Sequence, residues 1–256
     1  MNIYRKTSII LGAALFTALV VSAPAKAANA ANCDFSEGLK ALSAAQSASA
    51  LSDNKETIMN ELAIRKNLIN QAIDCSVSET LDLQSRVKAA DASYAGLNDI
   101  QNRIISKLND VLNYYQAQKD MVGNLGIEGS KTFSAGLESW RESNYVPLAE
   151  LGSNFIIFSK NQYILQTAAN RLNQITVTIK TLQLDDDQKI SNDLDQAAKS
   201  ISLANDDNNQ IMNAFRTMAW PNNISALTDS SLSHMKDAYQ NFFDISTEAQ
   251  SIISSR

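Results

Sequence analysis

Histidine occurs once, cysteine twice, proline three times and glycine eight times in 256 residues. Each scarcity excludes something. The single histidine, His234, has no cysteine or second histidine near it, so a zinc site of the usual ligand spacing is not expected. No serine or cysteine nucleophile comes with a visible base. Too few prolines and glycines are present for a turn-dense β architecture, and the longest alternation of β-branched residues, Thr176-Val177-Thr178-Ile179, lies inside a helical pattern. Basic blocks are also missing. Acid and base are interspersed and the net charge is −5, so no nucleic-acid partner is expected, because such binding needs clustered Lys and Arg. An anionic membrane surface is disfavoured for the same reason.

What is present begins with a targeting layout. Arg5 and Lys6 precede an uncharged run over Ile9–Ala23, and small-x-small sites follow at Ala25-Lys26-Ala27 and Ala28-Asn29-Ala30. The three parts read as a secretory signal over 1–27, cleaved after Ala27 or Ala30, with a core short for a membrane span; an uncleaved anchor is the alternative. Removal takes away Arg5, Lys6 and Lys26 and no acid, so the mature chain is more acidic still. No later segment approaches the 18 apolar residues of a spanning helix, so no stable membrane span is expected after cleavage. The expected location is secreted, periplasmic or cell-envelope.

Helical periodicity dominates the rest. Leu83, Val87, Ala90, Tyr94, Leu97, Gln101, Ile104, Leu108, Val111, Tyr115, Gln118, Val122 and Leu125 step by four and three. That 3.5-residue seam predicts one helix over Val77–Leu125, roughly 73 Å long at 1.5 Å per residue, packed lengthwise on other helices. The expected fold is all-α, an elongated antiparallel helical bundle or coiled-coil-like rod of about five to six helices.

The two cysteines bear on the N-terminal part. Asp34 or Ser36 is the expected cap of a first helix with Glu37 in its first turn. Asp53 and Glu56 have the spacing of a capping box opening a second, Glu56–Asp74. In an exported chain two cysteines most simply pair as Cys33–Cys75. A straight helix from 36 to 74 would hold them roughly 58 Å apart, whereas a bridge needs Cα atoms within about 7 Å. The bridge therefore requires a fold-back near Ser52–Asn54. Free thiols or an intermolecular bridge are the alternatives. Ser76-Val77-Ser78-Glu79 reads as a further capping box that starts the long helix. The expected division is signal 1–27, a disulfide-closed hairpin 28–75 and a long bundle 76–256.

Downstream, Gly123, Gly126 and Gly129 form a helix–helix turn; no Lys-Ser/Thr ends it and no strand precedes it, so a phosphate cradle is not indicated. A helix from near Ser130 meets Pro147, which must kink it or begin a new one. The seam then continues to about Leu182. Asp185-Asp186-Asp187 opens the next helix by capping and dipole effects, since calcium ligands would be spread over a longer loop with a central glycine. A seam from Ile190 to Met218 ends at Trp220-Pro221-Asn222-Asn223, and a last helix runs from about Ser225. Asn223-Ile224-Ser225 fits a glycosylation acceptor.

Several features admit a functional and a plain structural reading. Asn154-Phe155-Ile156-Ile157-Phe158 is either a membrane-inserting tip or, better, a helix through the bundle centre. Gln101, Gln118 and Asn208 occupy seam positions, where buried amides are expected to fix register or strand number at some cost in stability. Tyr114, Tyr115 and Tyr163 either line a ligand slot or belong to the core. His234 is expected at the surface, and the carboxylates fall on solvent faces.

Arg65–Leu83, then Tyr114-Tyr115-Gln116 and Trp140-Arg141-Glu142 with Tyr145 and Pro147, resemble a loose group of uncharacterised exported helical proteins of bacteria. The resemblance covers about residues 55–185. It implies an all-helical fold and export, and brings no activity with it. The expected function is a non-enzymatic scaffold or protein-interaction rod, without catalytic residues, cofactor or metal, holding a protein partner of unknown identity. Alternatives are a membrane-active toxin-like protein and a periplasmic bundle that binds a small ligand between its helices, in a pocket lined by Tyr and Gln.

Overall fold

The computed structural model describes residues 33–51, 54–94, 96–217 and 224–255. The expected signal segment, the Asp53 half of the capping box, Met218, Trp220-Pro221-Asn222-Asn223 and the glycosylation acceptor Asn223 lie outside them. The described residues form an all-α fold: α1 Ser36–Leu51, α2 Lys55–Ala89, α3 Leu97–Val122, α4 Ile127–Trp140, a π-helical turn Arg141–Tyr145, α5 Val146–Thr181, α6 Gln188–Thr217 and α7 Ile224–Ser255. No described helix is long and apolar enough to cross a membrane.

The chain divides into two compact units. The first takes the described residues up to Lys88 together with Arg103–Gly152. In it α1 and α2 form an antiparallel hairpin. Cys33 and Cys75 are disulfide-bonded with Cα atoms 5.9 Å apart, and at the other end Ser49 Oγ donates to Thr57 O at 3.2 Å. Between them Gly38 lies so close to Leu68 that any Cβ would collide with that side chain. Asn54 caps α2, its Oδ1 accepting the Glu56 amide at 3.0 Å. The disulfide closes a loop of sequence separation 42, a constraint on the unfolded chain of about 4 kcal/mol. Against α2 the second half of α3 runs antiparallel, in a register fixed by Gln84 Nε2 to Asn109 Oδ1 at 2.7 Å and by the Lys119–Asp74 ion pair.

The stretch expected as one helix over Val77–Leu125 belongs to two helices, α2 and α3, which corrects the sequence reading at two points, inside α2 and at its C-terminal end. First, α2 runs unbroken through Cys75 and Ser76. Ser76 Oγ, the hydroxyl that resembled a cap, donates back to Ala72 O within the helix, and Thr80 Oγ1 does the same to Ser76 O. The buried row Ile69, Ile73, Ser76, Thr80, Leu83, Val87 keeps the four-three spacing across the expected boundary. Second, α2 stops at Ala89 and α3 starts at Leu97. Asp91 Oδ1 accepts the Ser93 amide at 2.9 Å, and Gly96 takes φ +86, a left-handed conformation open to glycine.

The turn between α3 and α4 uses Gly123 and Gly126 as expected, although α4 begins at Ile127 and contains Gly129. Pro147 is the second residue of α5, the new helix that follows the π turn, which is one of the two outcomes expected of it. The Val146 N–H donates five residues back to Arg141 O, and this wider π turn carries the chain past a proline ring that would crowd a regular α turn.

The second unit takes Ala89–Asn102 and Ser153–Arg256. Within it the described α5, α6 and α7 pack around a layered core. Leu165, Ala204 and Met235 form one layer, and Ala168, Ala197 and Phe242 the next. Ile179, Leu184, Ile190, Ile245 and Ala249 form a third. The layers run α6 antiparallel to α5 and α7. Phe155 and Phe158, both fully buried, pack on Phe215 with ring centroids 5.9 and 5.5 Å away. The Asn154–Phe158 run is thus largely core, with Ile157 its exposed member. At the start of α6, Asp187 Oδ1 accepts the Ile190 amide at 3.0 Å, the capping role expected of that end of the aspartate run.

Candidate functional site

Two places concentrate polar and aromatic side chains, one in each unit. In the first unit the π turn presents Arg141 to α2. Its Nη2 lies 2.8 Å from Glu79 Oε2, and its guanidinium carbon sits 4.9 Å from the Tyr145 ring centroid. Only 4% of the Arg141 side chain is exposed, and Nη1 is enclosed without a hydrogen-bond partner. Tyr115 is completely buried, and its hydroxyl also has no hydrogen-bond partner among the described residues. Burial pushes the Tyr115 phenol up to about 12 and the Tyr145 phenol up as well. Tyr114 stacks on Trp140 at 3.5 Å between centroids, and Tyr115 meets the same indole edge-on. This cluster is a polar and aromatic group packed around a largely buried ion pair, with Tyr114 and Trp140 at its half-buried edge.

The second unit carries an open cleft. The Ala90–Gly96 loop supplies Asp91, Ser93 and Tyr94, and α5 supplies Ser159, Gln162, Tyr163 and Gln166, around about 320 Å³. Tyr94, Gln162 and Gln166 also border an adjoining lobe of about 440 Å³, whose further wall is Leu165 and Ala169 of α5 with Ala198, Ile201, Ser202 and Asn205 of α6. Both volumes fall in the range of small-molecule sites, about 300–1,000 Å³. Gln162 is 8% exposed, yet its amide makes no hydrogen bond to any described residue and lines both lobes. Tyr163, 67% exposed, and Tyr94, 42% exposed, bring two phenol side chains to the lining. Asp91 is the one charged residue lining either lobe among the described residues; hydrogen bonds from Ser93 hold its carboxyl below the usual carboxylate range.

The residues singled out from sequence separate between these places. Tyr114 and Tyr115 belong to the packed cluster, whereas Tyr163 lines the cleft. Gln101 Nε2 donates to Ala90 O at 3.0 Å, holding the end of the loop. Gln118 is half-buried. Asn208 is buried with Asn161 and Ser231: Asn161 Nδ2 donates to Asn208 Oδ1 at 3.2 Å and to Ser231 Oγ at 3.0 Å, and Ser231 Oγ donates to Asn208 Oδ1 at 2.9 Å. His234 is not a plain surface residue; its Nε2 faces Asp207 Oδ2 at 3.8 Å. No group of three or more described His, Cys, Asp or Glu residues is placed to hold a metal ion. Sequence reasoning missed Tyr94, Gln162 and Gln166. The signal for the loop was the Asp91-Ala92-Ser93 stretch followed by Gly96; nothing local marked the two glutamines.

The molecule is an all-α protein of two helical units, one disulfide-closed and one bearing a polar cleft. Compared with family models, curated proteins and solved structures, the chain matches none.

Proposed function

We propose that this chain is an exported, non-enzymatic helical binding protein, in which the second unit holds a small polar ligand in the cleft and the remaining helices act as scaffold. The observation that carries the reading is Gln162. The residue is 8% exposed and its side chain makes no hydrogen bond to a described residue. Its place in the lining of both lobes leaves an acceptor and two donors free for a ligand, each hydrogen bond contributing about 1 kcal/mol. The lining also supports binding over chemistry. Ser159 Oγ donates to Ile156 O at 3.0 Å and has no base beside it. Asp91 is a solvated, fully ionised carboxylate, unlike the raised acid of a general-acid pair. Export is supported by the N-terminal charge-apolar-small layout and by the Cys33–Cys75 bridge, which persists in oxidising compartments.

Ligand-observed NMR with a fragment library on the mature chain tests this. Fragments should bind, and Gln162→Leu should weaken them about tenfold, the loss of one well-placed hydrogen bond. A library without hits, or hits indifferent to Gln162→Leu, overturns the assignment of the site.

A further inference from the structure

Resting on the reading of the cleft as a binding site, we infer that its ligand is a neutral saccharide. The chemistry of the lining eliminates the other classes in turn. An anion has nothing to bind: no lysine, arginine or histidine lines either lobe among the described residues. A cation has only Asp91, whose carboxylate is exposed and already accepts the Ser93 amide, and an exposed charge of that kind contributes little. An extended peptide is held by backbone groups of a sheet edge or by an apolar groove; the cleft walls here are helices whose amides are used internally, apart from the short loop. A wholly apolar ligand would strip water from Gln162, Gln166 and the two phenols without replacing it.

What remains is an uncharged molecule with many hydroxyls and an apolar face. Each glutamine amide offers both an acceptor and two donors, and each phenol both donates and accepts, which matches hydroxyl groups that do the same. A pyranose ring also presents a face of C–H bonds, the partner suited to the electron-rich faces of Tyr94 and Tyr163. The second lobe adds apolar surface from buried Leu165 and half-buried Ile201 and polar groups from exposed Ser202 and Asn205. Two lobes sharing Tyr94, Gln162 and Gln166 suit more than one ring, with the shared residues at the junction.

Isothermal titration of the mature, disulfide-intact chain decides the matter. The probes are cellobiose, maltotriose and chitobiose, with choline, inorganic phosphate and a capped polar tripeptide as the other arms. At least one saccharide should bind at millimolar concentrations or below. Tyr163→Ala, on an exposed side chain whose loss leaves the fold intact, and Gln162→Leu should each weaken it about tenfold, while Phe243→Ala outside the cleft should change nothing. If no saccharide binds, the inference is overturned. If choline, phosphate or the tripeptide binds with Gln162 dependence instead, the saccharide is wrong and the cleft stands. If no probe and no fragment responds to Gln162→Leu, both fall together.

Discussion

Gln101 Nε2 donates to Ala90 O at 3.0 Å, joining the first turns of α3 to the carbonyl left open just beyond the end of α2. The bond spans the loop that forms one wall of the cleft. A helix end leaves its last carbonyls unpaired, and a side-chain amide from the next helix is one way to satisfy one of them. Gln101→Leu should therefore lower the unfolding free energy by about 1–2 kcal/mol and speed proteolysis within residues 90–96, both measured against wild type. A variant as stable and as protease-resistant as wild type would show that the bond does not hold the loop.

Much of the fold was legible in the sequence because helix packing writes itself as a period. Leu83, Val87, Leu97, Ile104, Leu108, Val111, Tyr115 and Val122 are all buried, as their seam positions required. The failures came where two local rules competed. Ser76-Val77-Ser78-Glu79 satisfies the spacing of a capping box and also the seam of a continuing helix; tertiary packing chose the seam, and Glu79 was taken up by Arg141, far along the chain. Over Ala90–Tyr94 the period continued by coincidence, with Tyr94 on the seam in sequence but 42% exposed in the structure. There the stronger signal was Gly96, whose φ of +86 no helix interior supplies. The cleft was legible only as a residue class, tyrosine and glutamine. Its members come from the loop, α5 and α6, a conjunction that periodicity within one segment does not encode.

Glu79 and Arg141 form the most buried long-range ion pair described, with 23% and 4% of their side chains exposed. Removing one partner strands the other charge. Glu79→Leu should cost about 3 kcal/mol, the lower end of the range for such pairs because Glu79 keeps some water contact. Replacing both residues by leucine should recover much of that loss, since the desolvation cost disappears together with the attraction. Urea titration of the single and double variants measures the difference; a double variant no more stable than Glu79→Leu would contradict the account.

Tyr115 and Tyr145 hold their protons more tightly in the folded chain than in the unfolded one, mainly because burial disfavours the phenolate. The unfolded state therefore loses its protons first, near the ordinary phenol value of about 10. Stability should be flat below that point and fall as pH rises from about 10 toward 12 and beyond. Tyr115→Phe should reduce the slope by one tyrosine. It should cost little at neutral pH, because the hydroxyl it removes has no hydrogen-bond partner. Denaturation midpoints followed across that pH window check both points, and an unchanged alkaline slope in the variant would refute the assignment.

Gln183 ends α5 with φ 55, in a closing motif of two reversed bonds: Leu184 N–H to Ile179 O at 3.0 Å and Gln183 N–H to Lys180 O at 3.1 Å. Leu184 and Ile179, 2% and 3% exposed, pack together in the same core layer, the apolar contact that accompanies this kind of helix end. Glycine is the residue suited to that backbone, and a side chain there costs about 1 kcal/mol or more. Part of the gain from Gln183→Gly is offset by the greater freedom of glycine in the unfolded chain. The net expectation is a rise in stability of about 0.5 kcal/mol. Gln183→Val should lower it, because a β-branched side chain tolerates this conformation worst. Thermal unfolding of the two variants beside wild type should therefore order them glycine, glutamine, valine; valine above glutamine would mean that the turn relaxes out of the left-handed conformation without penalty.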